Sequence, residues 1–343
     1  MPTDMTLSTG SARRGWMGRM LHRLSGGPPR RDSSSREATD RAPAPAPLPA
    51  RPEKMQGVTA RLVTDDRYVF VLLNDASDDI EERDARPAWK ALHAQMAVIP
   101  GGLVQLVRGD GQAECADVPA YYLDRCAVTN AQFLRFVRSG GYDQLEIWPR
   151  EVWSSLMRFT DETGQPGPRD WQRGTFAAGK ADHPVVGVCW HEAHAYARWV
   201  GKRLPTAAEW QKAGGWPEHL SGGSCNRYPW GDIFDPARAN LWASGREGTV
   251  PVRDFAKGST PNGIHQLAGN VWEWLDDPLV TIPCHHGEVF QPWKPLRRIA
   301  GGAFNTYFPA EATCQFITGQ PELDRCPNIG FRCALSADRL RPS

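Results

Sequence analysis

The clearest pattern in the chain is an apolar stripe with helical spacing that begins near residue 130. Phe133, Phe136 and Val137 lie three and four residues apart, which places them on one face of a helix. Thr129 or Asn130 directly precedes the stripe, and both residue types accept hydrogen bonds from the free amides of a first helical turn. The pattern predicts a core-facing helix from about residue 130.

Two further helices are predicted by their ends. Residues 191–200 form a helical segment that stops at Gly201, and glycine commonly follows the last turn of a helix. Thr206 and Glu209 have the spacing of a capping box, in which each side chain bonds the other residue's backbone amide. A third helix is therefore predicted to begin at Thr206 and to end at the glycine pair 214–215.

Regular periodicity is short in the rest of the chain. The apolar run at 68–73 predicts a strand, the charged stretch at 75–86 predicts a solvated turn or short helix, and 88–96 predicts a short helix. Beyond residue 216, the predicted strands are 270–275, 297–304 and 329–335. The remainder should be loop, which a compact domain tolerates only when large side chains or bound ions hold it.

Composition agrees with a loop-rich fold. The 343 residues include 14 Trp, 33 Gly and 29 Pro, so large rings should pack the core. Lys and Arg number 40 against 39 Asp and Glu, and this balance argues against nucleic acid as a partner. The eight cysteines include no Cys-x-x-Cys pair, and without an export signal they are expected to be free thiols.

The chain divides by composition into four parts. Residues 1–55 are basic and contain alternating Ala-Pro, so they are expected to form a disordered tail. An extension at 56–96, to which the sequence assigns no function, precedes a main domain at 97–336 and a C-terminal tail at 337–343. Because no apolar run is long enough for a transmembrane segment and no signal-peptide core is present, the expected location is cytoplasmic. A tail that tethers the domain to a partner or a membrane surface is the alternative.

Five motifs in the main domain resemble the formylglycine-generating enzyme (sulfatase-modifying factor) superfamily. They are GKRLPTAAEW at 201–210, YPWGD at 228–232, NGIHQLAGNVWEW at 262–274, AGGAFN at 300–305 and IGFRC at 329–333. The motifs occur in the family's order over about residues 97–336. The resemblance, which extends to ergothioneine-synthase-type and pyoverdine-maturation-type proteins, implies an α+β, C-type-lectin-like fold with few short helices and strands.

Family members often bind calcium through loops, and the resemblance implies two ligand sets in this chain. One set is the Asn240 side chain with the Leu241 carbonyl, and Glu247 is the nearest candidate for a completing carboxylate. The other set consists of Gln266, Gly269, Val271 and Glu273. Because the family usually has Asp or Asn at the position of the neutral Gln266, we expect weakened calcium affinity there. Calcium at either set would clamp loops and would take no part in catalysis.

The resemblance also shows a departure in the catalytic region. Formylglycine-generating enzymes hold copper with two cysteines that follow the Gly-Gly-Ser block, and the equivalent positions here are Thr306 and Glu311. Neither side chain can replace a thiolate as a ligand of the soft Cu(I) ion. Cys314 is out of register with the second position, so a pair formed with Cys326 would need a different loop path.

Four residues of the same region are candidates for a ligand-facing surface. They are Asn305, Thr306, Tyr307 and Glu311, which lie where the family's active groove would be. The four residues include neither a Ser-His-Asp set nor paired acids, so their types do not specify a reaction.

Two histidine-containing groups are candidates for a relocated transition-metal site. His191 and His194 lie one turn apart on a predicted helix, and Cys284, His285 and His286 are adjacent in a loop. The alternative interpretation is that a histidine at a helix start caps the helix or faces water. Adjacent histidines also cannot easily chelate one ion with good geometry.

Three functions remain open at this point. A catalytically divergent domain that acts as a binding, accessory or maturation factor for an unknown protein or small-molecule ligand is favoured, because both thiolates are missing. A non-heme iron or copper oxidase with a relocated site is the second, and iron or copper is expected only in that case. A true formylglycine generator with an unrecognised cysteine pair is the third.

Several residues of the motifs are predicted to be structural. The resemblance implies that Arg203 and Glu209 each form buried structural hydrogen bonds, and Arg332 is expected to be a buried arginine that pairs with a carboxylate. Trp272 and Trp274 are expected to lie in the core.

Overall fold

The structure is a computed structural model that describes residues 58–73, 82–107, 113–215, 225–280, 282–283, 289–290 and 292–340. Its helices are α1 (Val58–Thr64), α2 (Val69–Leu72), α3 (Glu82–Gln95), α4 (Asn130–Arg138), α5 (Trp153–Leu156), α6 (Trp190–Trp199) and α7 (Ala207–Gly215). Its strands are β1 (Met96–Ile99), β2 (Gly102–Val107), β3 (Ala113–Val118), β4 (Tyr121–Asp124), β5 (Trp272–Pro278), β6 (Ile282–Pro283), β7 (Val289–Phe290), β8 (Leu296–Ala300), β9 (Ile317–Pro321), β10 (Ile329–Gly330) and β11 (Ala334–Ser336).

Two sheets organise the domain. The first has the order β1-β4-β11 and is antiparallel throughout, with Ile99 opposite Tyr121 and Ala334 opposite Leu123. The second has the order β10-β5-β8-β9, in which β10 pairs parallel with β5 and the other pairs are antiparallel. The pairs β2-β3 and β6-β7 form separate hairpins. Because β1 lies at the start of the domain and β11 at its end, their shared sheet holds the two ends of the domain together.

The predicted helix ends are confirmed. Thr129 caps α4, because the Gln132 amide donates to the Thr129 hydroxyl and the Thr129 amide donates to the Gln132 side chain. The chain leaves α6 through Gly201, whose φ is 80°. The capping box at 206–209 is present at the start of α7 with backbone-to-side-chain distances of 2.8 and 3.2 Å.

The strand predicted at 68–73 is wrong, because the structure has the helix α2 there. All residues from Tyr68 to Leu73 are buried, and a short run that is apolar on every side shows no periodicity that separates strand from helix. The helix predicted at 88–96 is confirmed as part of the longer α3, which also includes residues 82–86. Strands overlap the segments predicted at 270–275, 297–304 and 329–335.

Aromatic rings fill the core between α4 and α6, as the composition predicts. Phe133 stacks on Tyr196 with centroids 5.5 Å apart and meets Phe331 edge to face at 6.2 Å. Trp274 is fully buried and Trp272 nearly so, which confirms their assignment to the core. A separate apolar cluster joins the extension to the domain and includes Leu340. Leu340 forms an isolated antiparallel β-bridge with Leu73.

In the described part of the chain, no helix has the length and apolar character that a membrane crossing requires.

Candidate functional site

The loop that follows β8 carries the four surface candidates. Gly301 and Gly302 adopt positive φ values of 100° and 73°, which turn the chain away from the sheet. The Thr306 hydroxyl then accepts a hydrogen bond from the Ala303 amide at 2.9 Å, and the Thr306 amide donates to the Ala303 carbonyl at 2.8 Å. Thr306 is buried, so it closes the turn and does not face a ligand, in contrast to its predicted role.

Beyond this turn, three large rings face solvent. Tyr307 and Phe308 are 66% and 61% exposed, and their rings meet edge to face with centroids 5.2 Å apart. Trp242 is 61% exposed, and its amide donates to the Thr306 carbonyl at 3.2 Å, which brings the two segments together. We call Trp242, Tyr307 and Phe308 the aromatic surface.

Polar side chains flank the aromatic surface. Asn305 is exposed and accepts a hydrogen bond from the Asn328 side chain at 3.0 Å. Glu311 lies on the short 3-10 turn Pro309–Ala312 and forms no ion pair with any described residue. Its carboxylate is therefore available to a cationic group of a ligand.

The first implied calcium set lies in a network of side-chain amides. Asn240 donates to the Gly248 carbonyl and to the Asn270 side chain, and its own oxygen accepts from Ser244. Asn270 in turn donates to Gln266 at 2.7 Å, so members of the two predicted sets are joined through a residue that the sequence did not single out. Asn270 is buried with a φ of 71°, and it directly follows Gly269 in the 262–274 motif.

The second implied set is divided. Gln266 donates to two loop carbonyls, and the Gly269 carbonyl accepts from the Val271 amide. Glu273 instead forms a bidentate pair with Arg332, at 2.7 Å on both oxygens, and accepts from the Trp210 indole at 2.8 Å. This confirms that Arg332 pairs with a carboxylate. Arg332 already balances the charge that Glu273 would offer to calcium.

The first histidine pair lies near the start of α6, where His191 is buried and His194 is half-buried. The His191 Nε2 atom is 3.3 Å from Glu322, which also pairs with Arg297. The His194 ring stacks on Trp190 at 4.8 Å, and burial, with a smaller effect of nearby Arg198, lowers the pKa of His194 to about 3. The expectation that a histidine at this helix start caps the helix or faces water is wrong for His191, because a carboxylate distant in sequence covers it.

The second histidine group, Cys284, His285 and His286, lies outside the described residues. Within the residues that are described, no three His, Cys, Asp or Glu side chains are grouped so that they could hold a metal ion. The seven cysteines of that part are free thiols, as expected, and Cys314 is buried. Burial, with a smaller effect of nearby Cys225, raises the pKa of Cys314 well above its ordinary value, so its thiol stays protonated.

Comparison with known proteins defines the class of this protein. Residues 81–337 match the family model of the sulfatase-modifying factor enzyme 1-like domain, and the chain belongs to this family. It is similar to the formylglycine-generating enzyme of Streptomyces coelicolor, with 30% identity over 286 residues, which cover 70% of this chain and 88% of the enzyme. The structure of CarF matches with a TM-score of 0.50 at 19% identity, covering 71% of this chain and 98% of that one, which supports the α+β fold.

Two other relatives are longer than this chain. The serine/threonine-protein kinase Pkn1 of Chlamydia trachomatis serovar L2 is 36% identical over 248 residues, covering 71% of this chain and 35% of the kinase. The hercynine oxygenase of Mycolicibacterium thermoresistibile is 34% identical over 239 residues, covering 67% of this chain and 48% of the oxygenase. This chain thus spans about a third to a half of their lengths.

Proposed function

We propose that this chain is a divergent member of the family that binds a peptide segment of another protein through the aromatic surface. The observation that carries the proposal is the exposure of Trp242, Tyr307 and Phe308 together. Exposed rings of this size are uncommon on a monomer unless they serve an interface, and such rings often dominate binding energy. The free Glu311 carboxylate beside them favours a peptide that combines an apolar or proline residue with a basic one.

The residues present do not fit the family's copper ion. Thr306 uses its hydroxyl to close a turn, and Glu311 offers only a hard carboxylate oxygen, whereas Cu(I) requires soft thiolates. Cys314 is buried as a protonated thiol, and the half-buried Cys326 accepts a bond from Gln320 at 3.6 Å. The proposed role is therefore recognition, without a copper step at these positions.

The test is selection of binders from a displayed random peptide library, followed by fluorescence anisotropy with one labelled peptide. In the variant Tyr307→Ala/Phe308→Ala, we expect the Kd to rise by about tenfold or more, since exposed anchors of this kind contribute roughly 1–2 kcal/mol each. Trp293→Ala is the matched control, because Trp293 is an exposed ring outside the aromatic surface.

Two outcomes would overturn the proposal. One is that no peptide is enriched, or that the control variant weakens binding as much as the double variant does. The other is that copper-supplemented protein converts the cysteine of a Cys-x-Pro-x-Arg peptide, which would make it a formylglycine generator.

A second candidate function is a metal-dependent oxidase centred on α6. The Nδ1 atoms of His191 and His194 are buried without a hydrogen-bond partner, and imidazole nitrogens are good ligands for iron or copper. Elemental analysis of untagged protein tests this idea. Stoichiometric iron or copper that is lost in His191→Ala and in His194→Ala would favour the oxidase over the recognition role.

We also propose that the two implied ligand sets bind calcium. The side-chain oxygens of Asn240 and Gln266 already accept hydrogen bonds, so calcium would compete with the amide network for them. We expect weak affinity, measured as a calcium-dependent rise in the melting temperature.

A further inference from the structure

A cavity of about 550 Å³ lies between the extension and the main domain. Arginines from both sides line it. Arg61 and Arg67 come from α1 and the turn that follows it, whereas Arg135 and Arg138 come from the last turn of α4. The cavity therefore exists only where the two parts of the chain meet.

The positive charge of this cavity is only partly balanced. Arg61 pairs with Asp65 at 3.6 Å, and Arg135 pairs with the adjacent Asp66. Arg67 and Arg138 form no ion pair with any residue in the described ranges. The Asp65 carboxylate also lines the cavity, so four guanidinium groups and one carboxylate face this space, and neither Arg67 nor Arg138 has a carboxylate of a described residue in contact.

Arg67 is held in place although no carboxylate of a described residue contacts it. Its guanidinium lies 5.1 Å from the centroids of both the Phe70 and Trp199 rings, and its Nε donates to the Trp199 carbonyl at 3.0 Å. Burial lowers the pKa of Arg67, and the nearby Asp65 carboxylate opposes this shift only in part. A cation held rigidly in a partly desolvated position has little side-chain entropy to lose when it binds an anion.

We propose that this cavity binds the phosphate group of a small phosphorylated molecule. Guanidinium forks match the oxygens of phosphate in geometry and charge, and Ser139 also lines the space. A volume of about 550 Å³ exceeds that of inorganic phosphate and lies in the range of sites for small organic ligands.

The proposal gives the extension a role. The family match begins at residue 81, so α1, Arg61 and Arg67 all precede it. The domain provides one wall of the cavity, and the segment before the match provides the other. The site is thus independent of the aromatic surface, and its test does not depend on the proposed recognition function.

The test is isothermal titration calorimetry of the full chain with sodium pyrophosphate and with inorganic phosphate, against sodium chloride of matched ionic strength. We expect pyrophosphate to bind more tightly than phosphate, and added salt to weaken both. Arg138→Gln should raise the Kd by about tenfold, because it removes one charge-assisted contact. Arg138→Lys should give an intermediate Kd, because it keeps the charge but loses the fork.

Arg246→Gln is the matched control, because Arg246 is also exposed and also has no ion pair in the described part of the chain. The exposed Arg138 is not part of the core, so unchanged melting temperatures should show that both variants fold. Heat no greater than that of chloride, or equal losses in Arg138→Gln and Arg246→Gln, would overturn the proposal.

Discussion

The buried pair of Arg332 and Glu273 allows a sharp test of what holds the motif region together. Arg332 is fully buried, bonds both Glu273 oxygens, and also donates to the carbonyls of Asp124 and His265. The substitution Arg332→Met keeps most of the volume but leaves the carboxylate unpaired. Removal of one partner of a buried pair costs about 3–5 kcal/mol. With an unfolding entropy of roughly 2.1 cal/mol/K per residue, that corresponds to a melting-temperature decrease of about 4–8 °C in a chain of this size.

Urea denaturation followed by tryptophan fluorescence measures this cost. The control is Arg238→Met, which breaks the exposed pair with Asp235 and should have a much smaller effect on stability. Adding Glu273→Gln to Arg332→Met should recover part of the loss, because it removes the orphaned charge but keeps an acceptor for the Trp210 indole. Equal destabilisation by Arg332→Met and Arg238→Met would refute the reasoning.

Calcium provides a second readout on the same variants. If Glu273 is a calcium ligand, Arg332→Met frees its carboxylate, and calcium should then stabilise the variant more than it stabilises the wild type. If calcium leaves the variant's unfolding free energy unchanged, the assignment of Glu273 to a calcium site is wrong.

Three further predictions concern pH, backbone geometry and thiol chemistry. The pKa of His194 is about 3 in the folded chain and 6.5 in the unfolded chain, so the free energy of unfolding should decrease as pH falls below 6.5, by about 2 kcal/mol at pH 5. His194→Phe should remove this contribution to the pH dependence, as urea titrations at pH 6.5 and pH 5 can measure. Gly269→Ala should destabilise the protein by about 2 kcal/mol or more beyond Gly245→Ala in the same assay. Both glycines have positive φ, but only a methyl group added at 269 meets a backbone carbonyl oxygen, at 2.7 Å. Equal losses of stability in the two variants would contradict this. Under native conditions a maleimide should label the exposed Cys115 far faster than the buried Cys314, as peptide mass spectrometry can show, and equal rates would mean that the core opens readily.

Sequence reasoning succeeded where the signal is local. The capping boxes at 129–132 and 206–209 and the glycine after α6 each lie within four residues, and all three helix ends are confirmed. The expectation that Arg203 and Glu209 form structural hydrogen bonds is also confirmed, since the structure pairs them with each other at 2.6 Å. The family and its α+β fold were likewise identified from short motifs in order, which the family match over residues 81–337 supports.

Sequence reasoning failed where partners are distant or where burial hides periodicity. Nothing near His191 indicates that Glu322 will cover it, because that contact depends on how β9 ends relative to α6. The helical state of α2 depends on its burial against the rest of the extension. The central position of Asn270 in the amide network becomes visible only when the loops at 240 and 266 lie side by side.

Buried ion pairs connect distant segments of this loop-rich domain and so stabilise its loops. Arg332 reaches Glu273 across 59 residues, Lys202 reaches Asp124 across 78, and Arg325 reaches Glu192 across 133. Each pair is buried and also bonds loop backbone or a neighbouring side chain, so each links distant segments at several points. Bound ions were the sequence-based alternative for this role, and the chain's own charged side chains can fill it. The Trp242 amide also bonds the Thr306 carbonyl, so the two segments that carry the aromatic surface are tied to each other, which should limit the ordering cost of the proposed peptide binding.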